Sequence, residues 1–367
     1  MTSSPEQTWN TRRQYIDYLR GVAVLIMLLA HTFDAWTADA ERSTDAFRRV
    51  LILGGIGAPL FLWLAGVASV LSAERACRRG GSRKGAALSV FRRGVEIFIL
   101  AFLFRLQAFI VSPGASPVTL FRVDILNIMG PSIAAAGLVW GLSRSAVAAS
   151  LAYASLAIAF AMSTPLVRIA GWVNALPVGA QWYLRPAGDL TNFTLFPWAG
   201  FVFAGGAVGV LIAAARDQRT EMRVHLSLAA AGAALTALGF YGASLPTIYR
   251  QSSFWTSSPT YFAIRTGVMM LALAATYGLA RAASDRGSIL RRLEHLGRRS
   301  LFVYWIHVEL VYGYATWPIR HRLAIWETAI AWLAFSAMIY GFVLLRDRLV
   351  DRWRTKGSAP SPLYSNS

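Results

Sequence analysis

Four ionisable residues sit in or beside the first long apolar segment of the chain: Asp17, Arg20, His31 and Asp34. Arg20 and His31 are eleven residues apart. At 3.6 residues per turn that is about three turns, so both side chains leave one face of a helix, roughly 16 Å apart along its axis. Asp17 stands three before Arg20 and Asp34 three after His31, which makes each acid a same-face neighbour of its base. One stripe therefore reads acid, guanidinium, imidazole, acid. An imidazole changes charge near neutral pH and suits general-base work, or covalent catalysis through an acyl-imidazole. Asp34 would orient its ring and stabilise the imidazolium. Arg20 is a permanent cation able to hold phosphate or carboxylate. The alternative is structural: an Asp17–Arg20 ion pair, and a histidine hydrogen-bonded at an interface.

The composition says what kind of element carries this stripe. Hydrophobic residues make up 56% of the 367 and charged residues 15%, with a mean hydropathy of +0.46. An ordinary globular domain carries about 25% charged residues, so this chain could hardly cover a soluble surface. The aromatic content of 13% excludes disorder. A net charge of +18 would suit nucleic acid only if basic and polar residues interleaved on one surface, and they do not. One cysteine, Cys77, rules out an intramolecular disulfide framework or a Cys-rich metal site. No zinc motif, P-loop or G-x-S-x-G elbow is present, so no metal or nucleotide-triphosphate chemistry is expected.

About 20 apolar residues cross a bilayer as a helix. Ten segments qualify: 14–33, 51–72, 92–111, 123–142, 145–163, 195–215, 224–243, 260–280, 299–317 and 323–345. They are long and continuous rather than alternating, which excludes a barrel, and none reads as broken in matching positions of two halves, as an inverted repeat would require. The expected fold is an all-α polytopic membrane protein with about ten transmembrane helices. The acid and the arginine inside the first segment argue against a cleaved signal peptide. Of the 36 lysines and arginines, twenty-four fall in the N-terminal tail, the 73–93 loop, alternate later loops and the C-terminal tail, against nine in the remaining loops. The positive-inside rule puts the richer side, and both termini, in the cytoplasm. The organisation follows: a cytoplasmic tail 1–13, a transmembrane domain 14–345 and a basic cytoplasmic tail 346–367, in the cytoplasmic (inner) membrane.

Charges inside spans are costly and mark function by default. Arg105, Asp124 and Arg265 join the first-helix set. Asp124 opens the fourth span and has Arg122 or Arg105 as partners; Arg265 calls for an acidic partner or an anionic ligand. His307, with Glu309 near it, lies within the ninth span and either faces the site or is a satisfied core histidine. His225 and His295 read as solvated residues of cytoplasmic loops, and His321 as interfacial. The long outer loop 164–194 holds Trp182, Tyr183, Arg185, Asp189 and Asn192. Aromatic faces with short polar groups suit a sugar ring; an aromatic interface belt is the alternative.

The run Arg12-Arg13-Gln14-Tyr15-Ile16-Asp17-Tyr18-Leu19-Arg20-Gly21-Val22-Ala23, followed by His31, resembles the opening of the membrane-bound acyltransferase superfamily. That superfamily includes the acyltransferase type 3 proteins and the heparan-α-glucosaminide N-acetyltransferase catalytic-domain family. Three further elements match in order. Gly57-Ala58-Pro59-Leu60-Phe61-Leu62-Trp63-Leu64-Ala65-Gly66 resembles its second-helix motif. Phe196-Pro197-Trp198-Ala199-Gly200-Phe201, with Gly205 and Gly209, resembles a mid-chain helix start. Gly297-Arg298-Arg299-Ser300-Leu301-Phe302-Val303-Tyr304-Trp305-Ile306-His307 resembles the late helix. The resemblance implies acyl transfer from cytoplasmic acyl-CoA, acetyl-CoA above all, to a sugar or glycan on the far side. The acyl-CoA is a cosubstrate rather than a tightly bound cofactor. His31, Asp34 and His307 are then the catalytic candidates, and Trp182, Tyr183, Arg185, Asp189 and Asn192 the acceptor candidates. Arg20 and the arginines of the 73–93 loop (Arg75, Arg78, Arg79, Arg92 and Arg93) would hold the CoA phosphates through charge-assisted bonds, although positive-inside topology alone also accounts for that loop. Asp17, Arg105, Asp124 and Arg265 are the structural intramembrane charges. The partners are the bilayer, acyl-CoA and the acceptor, with no nucleic acid, and self-association is left open. The rival readings are a transporter or flippase working through the intramembrane arginines and aspartates, and a lipid acyltransferase.

Overall fold

The computed structural model describes residues 13–111, 116–283 and 287–357, so most of the two expected tails lies outside the described residues. Thirteen α-helices follow one another among them. They are α1 (Gln14–Trp36), α2 (Asp45–Gly54), α3 (Gly57–Arg78), α4 (Arg83–Val111), α5 (Ile125–Leu142), α6 (Ala146–Ile169) and α7 (Val178–Leu184). The second half has α8 (Leu195–Ala214), α9 (Gln218–Ser244), α10 (Pro259–Ala282), α11 (Ser288–Arg298), α12 (Ser300–Tyr312) and α13 (Ile325–Gly357). Nine described segments are long and apolar enough to cross a membrane, α2 and α3 counting together as one. Large apolar side chains such as Ile99, Ile110, Leu151, Ile158 and Leu238 stand exposed along these helices. In water that would be a defect; against lipid it is the solvent-matched surface.

Two expected spans are broken. The second, expected at 51–72, runs as α2 and α3 with a turn at Gly55–Ile56. The ninth, expected at 299–317, is the 13-residue helix α12 followed by a 3₁₀ turn at Tyr314–Ile319. Thirteen residues rise about 20 Å, short of the roughly 30 Å of hydrocarbon. The preceding helix α11 bends away at Arg299, where charge takes over: Arg298 pairs with Glu294 at 2.9 Å and Arg299 with Asp347 at 3.0 Å. Hydropathy averages over such bends and so does not reveal them.

Helix α1 is the hub. It touches α2, α3, α10, α11, α12 and α13, while α4 pairs with α5, α9 with α10, and α8 packs between α3 and α6. Small residues permit the close crossings. Gly297 of α11 meets the backbone carbonyl of Asp17, and Gly21 of α1 meets that of Leu293, so a side chain at either would collide with main chain. Gly66 of α3 and Gly205 of α8 stand in the same relation to Val202 and Trp63. The glycines of all four motifs thus do packing work. They bring α12, which follows directly on α11, against the polar stripe of α1.

Candidate active site

His31 leaves α1 toward α12. Its Nδ1 lies 3.0 Å from the Tyr312 hydroxyl, and that hydroxyl donates to Oδ2 of Asp34 at 2.8 Å. A phenol has one proton, and a carboxylate only accepts. The Tyr312 oxygen must therefore accept from His31, which places the imidazole proton on Nδ1 and leaves Nε2 as a lone pair. Asp34 does not touch the ring directly, as the sequence suggested, but acts through Tyr312. Arg42 completes the bracket, donating to Oδ1 of Asp34 at 3.1 Å and to its backbone carbonyl at 2.7 Å.

His307 is fully buried and its ring lies 5.1 Å from that of His31, centroid to centroid. Its Nδ1 is 2.9 Å from the carbonyls of Val303 and Tyr304. Carbonyls only accept, so this nitrogen carries the proton, and Nε2 is a second lone pair with no partner among the described residues. Two imidazoles thus present bare nitrogens in one buried place, held by the α1–α12 contact. Glu309 does not join His307; two residues on, it points around the helix and lies within electrostatic reach of Arg105.

At the other end of α1, a cavity of about 170 Å³ opens between α1 and α3, lined by Arg13, Asp17, Arg20, Ser72 and Arg75 among others. Arg20 bonds Asp17 at 3.1 Å, and Arg298 approaches the same buried carboxylate at 3.8 Å. Arg13 pairs with Glu221 at 2.6 Å, and Tyr15 donates to that carboxylate at 2.9 Å. Of the arginines singled out in the 73–93 loop, Arg75 lines this cavity. Arg78 is spent on the carbonyl of Ala213, Arg93 on Glu96 at 2.9 Å, and Arg79 and Arg92 are exposed.

The loop 164–194 closes over α5. A parallel bridge between Val123 and Thr191 sets Asn192 beside Asp124, to which it donates at 2.7 Å while accepting from Arg122 at 2.7 Å. Asp124 also forms an ion pair with Arg105, and its backbone N–H is capped by Asn127 at 2.9 Å. Asn127 in turn approaches the Tyr183 hydroxyl at 3.4 Å. Burial pushes the Tyr183 phenol above its ordinary value, so near neutrality it donates and accepts rather than acting as a base. Arg185 is held by Asn174 and Gln181 at 2.5 and 2.6 Å, Trp182 is half-buried, and Asp189 is exposed. Arg265 lies over the ring of Tyr261 at 4.0 Å, with Trp198 at 5.9 Å.

Two histidines expected in solvated loops are not there. Helix α9 starts at Gln218, so His225 lies inside it, buried, stacked on Tyr277 at 4.0 Å and edge-on to Tyr15 at 4.9 Å. His295 sits on α11 and bonds Asp347 through Nε2 at 2.7 Å. Tyr312 is the residue that sequence reasoning missed. It follows His307 by five positions, which is no helical neighbour spacing, and nothing in its surroundings marks it out. Among the described residues no cluster of His, Cys, Asp and Glu could hold a metal ion.

Compared with known proteins, residues 12–250 match a family model described as heparan-alpha-glucosaminide N-acetyltransferase, catalytic. No curated protein matches the chain.

Proposed function

The chain belongs to the heparan-alpha-glucosaminide N-acetyltransferase catalytic family, and from that premise we propose that it moves an acetyl group from cytoplasmic acetyl-CoA to the amine or hydroxyl of a sugar on the far side of the cytoplasmic membrane. The single observation that carries this reading is the His31–Tyr312–Asp34 chain of hydrogen bonds, which leaves His31 Nε2 as a lone pair backed by a carboxylate. This is the base-and-orienter logic of acyl-transfer sites, with a phenol inserted between the two.

The steps follow from these groups. The phosphates of CoA dock at Arg20 and Arg75 in the cavity beside α1, through charge-assisted bonds. The thioester arm runs along α1 toward His31, a distance of roughly 16 Å by helical rise. His31 Nε2 takes the proton of the acceptor as its nitrogen or oxygen attacks the thioester carbon. The positive charge that develops on the ring is stabilised through Tyr312 by Asp34. The carbon–sulfur bond then breaks, and the imidazolium returns its proton to the departing thiolate. For an amine acceptor, His307 Nε2 accepts a hydrogen bond from the second N–H and so orients the nucleophile. The outer network of Asp124, Asn192 and Tyr183, with Trp182, Arg185 and Asp189 on the same loop, receives the rest of the sugar.

The purified full chain with radiolabelled acetyl-CoA tests this. Label should pass to an amino sugar with release of CoA, and His31→Ala should lower the rate about 10²- to 10⁴-fold. Transfer that survives His31→Ala refutes the catalytic assignment. Label partitioning into lipid makes the protein a lipid acyltransferase, and solute movement without CoA binding makes it a transporter.

A further inference from the structure

The fold provides for its three intramembrane arginines differently. Arg20 is paired with Asp17 and Arg105 with Asp124. For Arg265 no carboxylate lies within ion-pairing distance among the described residues, and its Nε is buried without a hydrogen-bond partner. The sequence called for an acidic partner or an anionic ligand; the described residues hold no such partner, which turns attention to the ligand.

What surrounds the guanidinium is aromatic. It lies over the face of Tyr261 at 4.0 Å, and the indole of Trp198 is 5.9 Å away. Such contact offsets part of the cost of desolvating the cation. Tyr261 also takes a hydrogen bond from it; a guanidinium has five N–H donors, and those beyond that bond can serve a carboxylate or phosphate. Trp198 and Arg265 are both partly exposed, and Trp198 meets Phe193 edge-on at 4.6 Å, next to Asn192 of the outer network. The depth also fits. A Cβ placed on Gly55 would stand 3.4 Å from Nη2 of Arg265, while the adjoining Gly54 packs on Ala30, the residue before His31. Arg265 therefore sits level with the histidine pair, across the α2–α3 turn from it. Tyr261 and Arg265 both follow the residues that match the family, so that match assigns them nothing.

We infer that Arg265, with Trp198 and Tyr261 as an apolar floor, is a subsite for the acidic group of an anionic acceptor: a sugar carrying a carboxylate or phosphate as well as the group to be acylated. The inference rests on the acyl-transfer reading for the rest of its ligand. An aromatic platform suits the sugar ring, and a planar, permanently charged fork suits its acid.

The test compares three amino sugars on the purified full chain: glucosamine, glucosamine 6-phosphate and muramic acid, which bear no acid, a phosphate and a carboxylate. Wild type should favour one or both acidic sugars over glucosamine by about tenfold or more in kcat/KM, the worth of one charged hydrogen-bonded contact. Arg265→Gln should abolish that preference by raising KM for the acidic sugar, with the kinetics for glucosamine and acetyl-CoA unchanged. Arg265→Lys, which keeps the charge and loses the fork, should retain part of the preference and decides the matter if the glutamine variant does not fold. Binding is read separately, as the rise in melting temperature on adding each sugar to wild type, His31→Ala and Arg265→Gln. The acidic sugar should stabilise the first two and not the third. Equal losses for acidic and neutral sugars, or no acid preference in wild type, overturn the subsite while leaving acyl transfer intact. Stabilisation by inorganic phosphate as large as that by the acidic sugars marks a bare-anion site and also overturns it. Arg265-dependent binding of an acidic sugar with no acetylation of any sugar upholds the subsite and refutes the transferase reading.

Discussion

Tyr312 has no chemistry of its own to contribute, yet its single proton decides the state of His31. Donated to Asp34, it obliges the imidazole to place its proton on Nδ1 and leaves Nε2 as the lone pair that serves as base in the proposed reaction. Phenylalanine at this position keeps the ring and its packing and removes the link. Tyr312→Phe is expected to lower kcat about 10- to 100-fold, within the range of general-base contributions, and to leave KM for acetyl-CoA unchanged, because the donor cavity lies at the other end of α1. Initial-rate kinetics on both substrates separate the two. A rise in KM for acetyl-CoA with kcat intact would mean that Tyr312 serves packing and not the base. The stripe Asp17, Arg20, His31 and Asp34 was legible from spacing, since one helix fixes the relative positions of its own residues. The identity of the link was not, because it arrives from α12, 278 positions away in the chain from Asp34.

At the scale of elements, the site depends on how closely α11 approaches α1. Gly297 lies against the carbonyl of Asp17, and Gly21 against that of Leu293. A branched side chain at either place meets main chain, which cannot rotate aside. Gly297→Val should destabilise the protein by about 1–3 kcal/mol through overpacking, visible as a lower melting temperature of the purified protein in detergent. It should also lower activity out of proportion to the folded fraction, since α12 and its His307 and Tyr312 move with α11. Unchanged stability would show that the two helices separate without cost. The motif that includes Gly297 could be read from the sequence, but its reason could not. The early end of α12 was hidden as well, because a hydropathy window averages the turn at Tyr314–Ile319 into the apolar run before it.

For the molecule as a whole, the polar features arrange themselves by depth. The arginine-lined cavity marks one end of α1 and the histidine pair the other, with the Asp124 network in the loops nearer that second end. The proposed orientation, drawn from the charge bias, has the cavity end facing the cytoplasm. Replacing Cys77, the single cysteine of the chain, gives a background for single reporters. A cysteine at Ser82 should react with a membrane-impermeant maleimide only after the cells are opened, and one at Ala187 in intact cells. The reverse pattern would invert the orientation and with it the side on which acetyl-CoA is used.

The sequence by itself determined the class of protein, nearly every span, the polar stripe of α1 and the motifs of the family. These depend on composition and on spacing within one element, and helical geometry is nearly the same wherever the helix lies. It also found Arg265 and stated what such a charge needs. Tertiary structure decided which of those needs are met from within. It gave Asp124 to Arg105, left Arg265 without a carboxylate among the described residues, placed Tyr312 between His31 and Asp34, and drew His225 out of solvent into a ring stack. Each depends on how separate elements meet. In a membrane, where apolar faces fit lipid as well as one another, hydrophobic pattern carries little information about which helices meet.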